Sequence, residues 1–222
     1  AGSVYNKFKF KDIGKSQEEQ TMIKAGVFKT MSPKKDYNGS LTWKIAGEAF
    51  AGRGDMKRRY WIVDEVFEAK GKYTTYGVAL KNEIGKEFRT SENTSIRPYG
   101  ALNLEYGKYS DFRETGPMAL KVKGNDYFSA KPEAGISFNY KQDLGVRSKL
   151  TASLTAAYEN ELGELYDVQN KAKLKGTKAP YYKLRGDKEN HRGNGKFDLN
   201  FGWDNTRFGV TVNGGYDTKG NN

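Results

Sequence analysis

The feature that most constrains the fold of this chain is the alternation of apolar and polar side chains over residues 192–217. Every second residue from Phe197 to Trp203 is large and apolar, and the residues between them are Asp, Asn and Gly. The alternation restarts at Phe208 after a short polar turn and continues to Tyr216. Successive side chains of a strand point to opposite faces, so these runs predict a long β-hairpin with one apolar and one polar face.

Similar alternation recurs along the chain and predicts about ten or eleven strands in all, joined mostly as hairpins, with no helix. The clearest runs are residues 21–31, 41–50, 73–89, 95–109, 132–142 and 149–162. Many have about 10 residues or more, the length that crosses a bilayer at a tilt, whereas soluble strands average about 5–6 residues.

Turn and loop chemistry divides these runs. Gly52 to Asp55 and Gly71-Lys72 are predicted to turn the chain, and Ser16 to Gln20 is predicted to be a polar loop. Leu165 to His191 is the longest polar stretch and predicts a loop with a short strand near Tyr181 to Leu184.

The composition excludes several classes of protein. The 222 residues contain no cysteine, which rules out disulfides and zinc–thiolate sites, and the mean hydropathy of −0.85 is too polar for a helical membrane protein. No run reaches the roughly 18 apolar residues of a spanning helix, but a β-barrel escapes that test because only alternate residues face lipid.

The net charge of +11 raises the question of nucleic-acid binding. The basic residues are spread over the whole chain and interleaved with 27 acidic residues, and no RNA-binding aromatic motif is present. This distribution favours solvated loops and a polar interior, so we expect no nucleic-acid partner.

The two faces of the predicted strands favour a membrane barrel over a soluble sandwich. The polar faces carry Thr, Ser, Asn, Gly, Glu and Lys, and tyrosines at strand ends fit an aromatic girdle at lipid headgroups. The predicted fold is all-β, an antiparallel up-and-down transmembrane β-barrel. The predicted lumen-facing residues are Glu83, Glu87, Asn103, Glu105, Asn139, Lys141, Glu159, Glu161, Asp198, Asn200 and Asn213. The predicted lipid-facing residues are Leu102, Leu104, Tyr106, Ile136, Phe138, Tyr140, Leu154, Tyr158, Phe201, Trp203, Val210 and Val212.

A series of short motifs carries a family resemblance. They are Arg97-Pro98-Tyr99-Gly100, Phe112-Arg113-Glu114-Thr115-Gly116, Pro132 to Phe138, Leu150 to Glu161 and Phe208 to Gly215. In this order and spacing they resemble the translocator (β) domain of Gram-negative autotransporters, the type Va secretion proteins. The likeness covers about residues 70–217, and residues 1–69 match in pattern only.

The resemblance implies a twelve-stranded barrel in the outer membrane that supports export of an N-terminal passenger to the cell surface. The implied partners are outer-membrane lipid, the chain's own passenger segment, the outer-membrane assembly machinery and periplasmic chaperones. Residues 1–222 are expected to form a single barrel domain trimmed at both ends, with the first and last strands missing or incomplete. Glu114 is the motif carboxylate; it either satisfies nearby backbone amides in a loop or takes a direct part in secretion.

Other functions find less support in the sequence. His191 is the only imidazole and lies among charged residues, and no G-x-S-x-G motif occurs, so we expect no catalytic, metal or cofactor site. A passive porin-like or structural barrel remains an alternative, with Leu165 to His191 as its constriction loop. A soluble, lipocalin-like binding barrel is the other alternative, and it requires Phe138, Leu154 and Val212 in a dry interior.

Overall fold

The fold is seen in a computed structural model that describes most of the chain. The described residues are 1–36, 39–145, 147–163, 170–183, 192–205 and 207–218, with the backbone alone at 33–36. Of the predicted loop from Leu165 to His191, residues 165–169 and 184–191 lie outside the described residues. No helix within the described ranges is long and apolar enough to span a membrane.

The described residues form strands joined by turns and irregular segments. The strands are β1 (Gly2–Lys9), β2 (Gln17–Asp36), β3 (Gly39–Ile62), β4 (Glu65–Lys86), β5 (Phe88–Arg89), β6 (Thr94–Tyr109), β7 (Phe112–Arg113), β8 (Leu120–Lys123), β9 (Asp126–Asp143), β10 (Lys149–Asn160), β11 (Lys171–Leu174), β12 (Tyr182–Lys183), β13 (Gly193–Asp204) and β14 (Gly209–Asp217). The short β12 confirms the strand predicted near Tyr181 to Leu184.

The long strands make one antiparallel sheet in the order β1-β2-β3-β4-β6-β9-β10-β13-β14, with β5 paired to β6. Each long strand therefore pairs with its neighbours along the chain, which is the predicted up-and-down meander. The sheet curls into a half-barrel. The side chain of Arg97 on β6 reaches Thr42 on β3 at 3.1 Å across the intervening strand β4, as the curl requires. The short strands form a second sheet in the order β12-β11-β8-β7.

Two predicted turns are wrong. Gly52 to Asp55 and Gly71-Lys72 lie inside β3 and β4, which run for 24 and 22 residues, and the chain instead turns between them at Val63, where φ is +58°. A Cβ at Gly54 would lie 2.2 Å from the ring of Tyr73, so this glycine gives an aromatic ring room to lie against the strand.

Gly71 has the same role under another ring, since its Cβ would lie 2.7 Å from Phe112. The polar loop predicted for Ser16 to Gln20 is also wrong beyond its first residue, because β2 begins at Gln17 and pairs with β1. Its charged residues have partners there: Lys7 of β1 forms an ion pair with Glu19 at 2.8 Å.

The faces of the main sheet are the reverse of those of a soluble protein. Glu83, Glu133 and Glu159 are buried on the inner, concave face, whereas Leu154 and Val212 on the outer face are 47% and 62% exposed. The soluble alternative needed these apolar side chains inside, and they lie outside.

The clustered hydrophobic core lies at one end of the half-barrel, not within the main sheet. Leu120, Val122 and Ala172 of the small sheet are buried together, and Phe112 and Leu174 pack against them. Thr115 joins this unit to β4 through paired backbone hydrogen bonds with Lys70 of 2.9 and 2.8 Å.

Candidate functional site

A belt of paired charged and polar side chains crosses the inner face of the sheet. Its members are Thr42, Lys44, Lys81, Glu83, Arg97, Tyr99, Glu133, Glu159, Asn194, Lys196 and Asp217. Glu83 on β4 is the first acidic member of this belt. The carboxylate accepts a hydrogen bond of 2.7 Å from Arg97 and lies 3.2 Å from Lys44 and 3.7 Å from Lys81. Arg97 also donates to Thr42. One buried carboxylate is thus surrounded by three cations from β3, β4 and β6.

The belt continues across the later strands. Tyr99 donates to Glu133 at 3.0 Å, and Lys196 bridges Glu133 and Glu159 at 3.1 and 2.7 Å. Asn194 then donates at 3.0 Å to Glu159 and, at the same distance, to Asp217 on β14. Since buried charges need partners, this alternation of sign compensates the charge of each carboxylate on one inward-facing surface.

Nine of the eleven predicted lumen residues lie in strands and share this face by register, while Glu87 and Glu161 directly follow β4 and β10; the eleven make different contacts. Glu83 and Glu159 belong to the belt. Glu87 accepts from Ser95, Glu105 from Tyr127, and Asn200 donates to Asn213. Asn103, Asn139, Lys141 and Asp198 lie on the same face.

Glu161 differs from the other lumen candidates because it is fully buried. Its carboxylate accepts from Ser129 and from the backbone N–H groups of Ala130 and Gly163, at 3.1 and 2.7 Å for the last two. Glu161 therefore stabilises the chain where it leaves β10.

Sequence reasoning missed several members of the belt as functional residues, among them Arg97, Tyr99, Glu133, Asn194 and Lys196. Each falls on the polar face by strand parity, which was the signal available. Which of them meet is decided by the pairing register between strands.

The predicted lipid-facing residues all lie on the opposite face of the sheet by register. Tyr106 and Tyr158 are exposed there, and Tyr106 donates to Asp126 at 3.1 Å near the end of the strand. Trp203 packs edge-on against Phe208 with the ring centroids 5.3 Å apart. The assignment of this face to lipid stays a prediction.

A cavity of about 630 Å³ lies between the concave face and the small sheet. Aromatic rings dominate its wall: Tyr73 contacts Tyr109 and Phe112, and Tyr109 contacts Tyr127, with centroids 5.6–6.2 Å apart. Glu18 accepts a hydrogen bond from Tyr73 at this wall. The cavity therefore offers flat apolar surfaces beside acidic groups.

Glu114, the motif carboxylate, joins the small sheet to β3. It is 1% exposed and accepts from Arg58 Nε at 3.0 Å, from Arg58 Nη2 at 2.7 Å and from the backbone N–H of Leu120 at 2.8 Å. The backbone contact corresponds to the first of the two roles considered from the sequence, and the two-pronged ion pair with Arg58 was not anticipated.

The turn between β1 and β2 carries a perturbed carboxyl group. Asp12 accepts hydrogen bonds from the Ser16 hydroxyl and, at 2.7 Å, from the Ser16 backbone N–H. These bonds favour the ionised form and hold the pKa of Asp12 below its usual range.

Comparison with known proteins bears on this arrangement. The family model described as autotransporter beta-domain matches residues 1–215. The chain belongs to the autotransporter β-domain family. A search among curated proteins found no match.

Membership confirms the family resemblance and places the β-domain in the outer membrane of Gram-negative bacteria as a translocator barrel. The family also implies a passenger segment as the partner of the β-domain. In such barrels the short connections face the periplasm and the longer ones face outward. The end with the longer described connections, residues 110–125 among them, is then the outer end of this β-domain.

Proposed function

We propose that this β-domain supports export of an N-terminal passenger through a hydrated interior lined by the concave face, while the convex face contacts lipid. The observation that carries the proposal is the inversion of the sheet, with Glu83, Glu133 and Glu159 buried and Leu154 and Val212 exposed. A bilayer favours apolar side chains on the outside, and water favours ionic groups inside.

The belt gives the interior a physical character suited to a passing polypeptide. Each buried carboxylate is already paired with a basic or amide group of the wall, as Glu83 is with Arg97 and Glu159 with Lys196. A wall whose charges are internally compensated hydrates a chain without holding it by strong ion pairs. We therefore assign the predicted lumen residues other than the fully buried Glu161 a solvating role, and we propose no catalytic role for any of them.

Residues 1–222 are proposed to act as one domain. The pairing of strands is continuous from β1 to β14, and the family match spans residues 1–215. A chain with apolar alternate residues needs protection until it reaches the membrane, so periplasmic chaperones and the outer-membrane assembly machinery are the proposed partners of its biogenesis.

The face assignment is tested by labelling single cysteines. The chain has no cysteine, so Leu154→Cys on the outer face and Ser153→Cys on the inner face form a clean matched pair. In vesicles, a fluorophore at 154 should be quenched by nitroxide-labelled lipid, and one at 153 by aqueous iodide. The reverse result would reject the proposal.

Passenger contact is tested with a photo-crosslinking amino acid at two neighbouring positions in the protein that carries the passenger. A probe at Asn139, on the concave face, should crosslink to the passenger during export, and a probe at Phe138, on the convex face, should not. Equal yields from the two sites would contradict passage along the concave face. Loss of export with either probe would be resolved by repeating the pair at Asn213 and Val212.

A porin-like role makes a different prediction for the same interior. Reversal of charge at Glu83 and Glu159 should change the ion selectivity of a conducting barrel whether or not a passenger is present. Conductance with no crosslinking at Asn139 would favour the porin alternative.

A further inference from the structure

We propose that the outer face of strands β1–β4 binds the phosphate groups of outer-leaflet lipid. This proposal rests on the proposed function, in which the convex face contacts lipid. It adds the chemical class of the ligand, a lipid phosphate, and the place where it binds. The outer basic patch consists of Lys7, Lys9, Arg53, Lys57, Arg59, Lys70 and Lys72, accompanied by the carboxylates Glu19, Asp55 and Glu68.

The patch exists because β3 and β4 continue through the glycines where turns were expected. Pairing aligns Lys9 of β1 with Gln17, Lys57 and Lys70 in one row across four strands. The next row aligns Lys7 with Glu19, Asp55 and Lys72. Two adjacent rows therefore bring cations from three different strands to one surface.

The patch lies on the same face as the apolar band and directly beyond it. On β4, Val78 and Tyr76 are exposed on this face, and Lys72 and Lys70 follow in the same direction. Four residues from Tyr76 to Lys72 span about 13 Å along a strand, or about 10 Å along the membrane normal at the usual tilt. This height corresponds to the headgroup layer, where a tyrosine girdle marks the boundary.

The lengths of the connections at the two ends of the sheet indicate which leaflet of the membrane the patch contacts. The patch lies at the end with the longer connections, which faces outward in these barrels. The lipid at that height is the phosphorylated glycolipid of the outer leaflet, and its phosphates are matched in charge by clustered Lys and Arg.

The side chains are placed to accept a ligand. Arg53, Lys70 and Lys72 are 59%, 60% and 67% exposed, and a depression of about 300 Å³ is lined by Lys57, Lys70 and Lys72 among others. The carboxylates already have partners in the patch: Asp55 lies 3.5 Å from Lys72, and Glu68 lies 2.8 Å from Arg59. Basic groups outnumber acidic ones, so the patch keeps a positive excess after these pairs.

The test measures binding of lipid A with both phosphates by the purified protein in detergent, beside the same glycolipid with its phosphates removed. We expect the wild type to prefer the phosphorylated form and the preference to fall with salt. The triple variant Lys57→Gln/Lys70→Gln/Lys72→Gln should lose about tenfold or more in affinity, since each surface lysine contributes a few-fold near anionic headgroups.

The matched control removes the same charge elsewhere. Lys81 and Lys141 lie on the concave face, and Lys175 follows β11. The control variant Lys81→Gln/Lys141→Gln/Lys175→Gln should bind lipid A like the wild type. An equal loss in both variants would mean that net charge alone attracts the lipid, and that result would overturn the patch.

Failure of this proposal and failure of the proposed function can be told apart. The lysines lie beyond the apolar band, so the triple variant should keep its detergent requirement and the faster migration of unheated protein on a gel. A heat-shifting wild type with no preference for the phosphorylated lipid overturns the patch alone. A wild type that stays monomeric without detergent and shows no shift overturns the lipid-facing assignment itself.

Discussion

Glu114 offers the sharpest quantitative prediction, because its carboxylate is buried and both of its oxygens accept hydrogen bonds. Glu114→Ala leaves the Leu120 N–H without its acceptor and the Arg58 guanidinium without its carboxylate partner, so that Arg58 keeps only the Met118 carbonyl as a hydrogen-bond acceptor. Removal of one partner of a buried ion pair destabilises by about 3–5 kcal/mol. Glu114→Gln keeps one acceptor oxygen and should lose about 1–3 kcal/mol, the range for leaving a buried polar group unsatisfied.

The loss should be local. Glu114 joins the small sheet to β3, so its removal should open β7, β8 and β11 without separating β10 from β13. Native-state hydrogen exchange in detergent measures this directly, since each 1.4 kcal/mol changes the opening constant tenfold. The β8 amides should exchange about a hundredfold faster or more in Glu114→Ala, and the β10 amides should be unchanged.

The adjacent pair provides the control. Arg59 and Glu68 lie 2.8 Å apart, with side chains 37% and 30% exposed. An ion pair exposed to that degree contributes about 0.2–1 kcal/mol, so Glu68→Ala should barely alter exchange. If Glu68→Ala accelerated β8 exchange as much as Glu114→Ala, burial would not be the source of the effect, and the reasoning would be wrong.

Three further predictions concern other parts of the sheet. Gly135→Ala should destabilise the protein to urea by about 1–3 kcal/mol, because the new Cβ would lie 2.5 Å from the ring of Tyr99. Lys196→Met should destabilise it by about 3–5 kcal/mol in urea, because two buried carboxylates lose their shared cation. Asp12 should titrate by NMR below its usual pKa in wild type and closer to, but still below, the usual value in Ser16→Ala, because that substitution removes the hydroxyl donor and keeps the backbone N–H donor. The stabilisation from Asp12 is present above the unfolded-state pKa and is lost as pH falls through the folded-state pKa.

Each of these has a control or a contrary outcome. Gly214→Ala should be neutral, since a Cβ there meets nothing within 4 Å, and an equal loss from both alanines would contradict the packing argument for Gly135. Lys81→Met should have a smaller effect than Lys196→Met, because Lys81 is the most distant cation around its carboxylate, at 3.7 Å. An Asp12 pKa unchanged by Ser16→Ala would remove the Ser16 hydroxyl as a cause of the lowered pKa.

The sequence is sufficient to assign side chains to faces, because a strand has a period of two wherever it lies. Thus Leu104 and Phe138 share one face and Glu105 and Asn139 the other, as the alternation predicted. The family motifs were also readable, since they combine this alternation with fixed spacing.

The wrongly predicted turns arose because a glycine can either mark a turn or make room for a side chain that packs against a strand. Gly54 and Gly71 look like turn residues in sequence, but each lies under an aromatic ring from another segment. Only the folded sheet shows that Tyr73 and Phe112 come to these positions. The turn at Val63 carried no Gly, Pro or Asn at the left-handed residue, so local turn chemistry did not mark it.

The contacts within the belt could not be predicted from the sequence, for a different reason. Arg97 meets Thr42, and Lys196 meets Glu133, across a strand that lies between them. Such contacts depend on the register of three strands and on how tightly the sheet curls. Neither quantity is encoded in the alternation of any single strand.

The inverted faces have a consequence for which substitutions this domain tolerates. Side chains such as Phe138 and Leu154 project outward from the sheet. In the proposed arrangement, the fluid hydrocarbon chains of lipid cover these side chains and adjust to apolar groups of any shape. In most proteins, close packing restricts substitutions in the hydrophobic core. In this domain the close packing lies on the concave face, where the ring of Tyr99 packs against Gly135. Substitutions among Leu, Val and Phe on the convex face should therefore leave the stability of the domain almost unchanged. One added methyl group on the concave face, as in Gly135→Ala, should destabilise it.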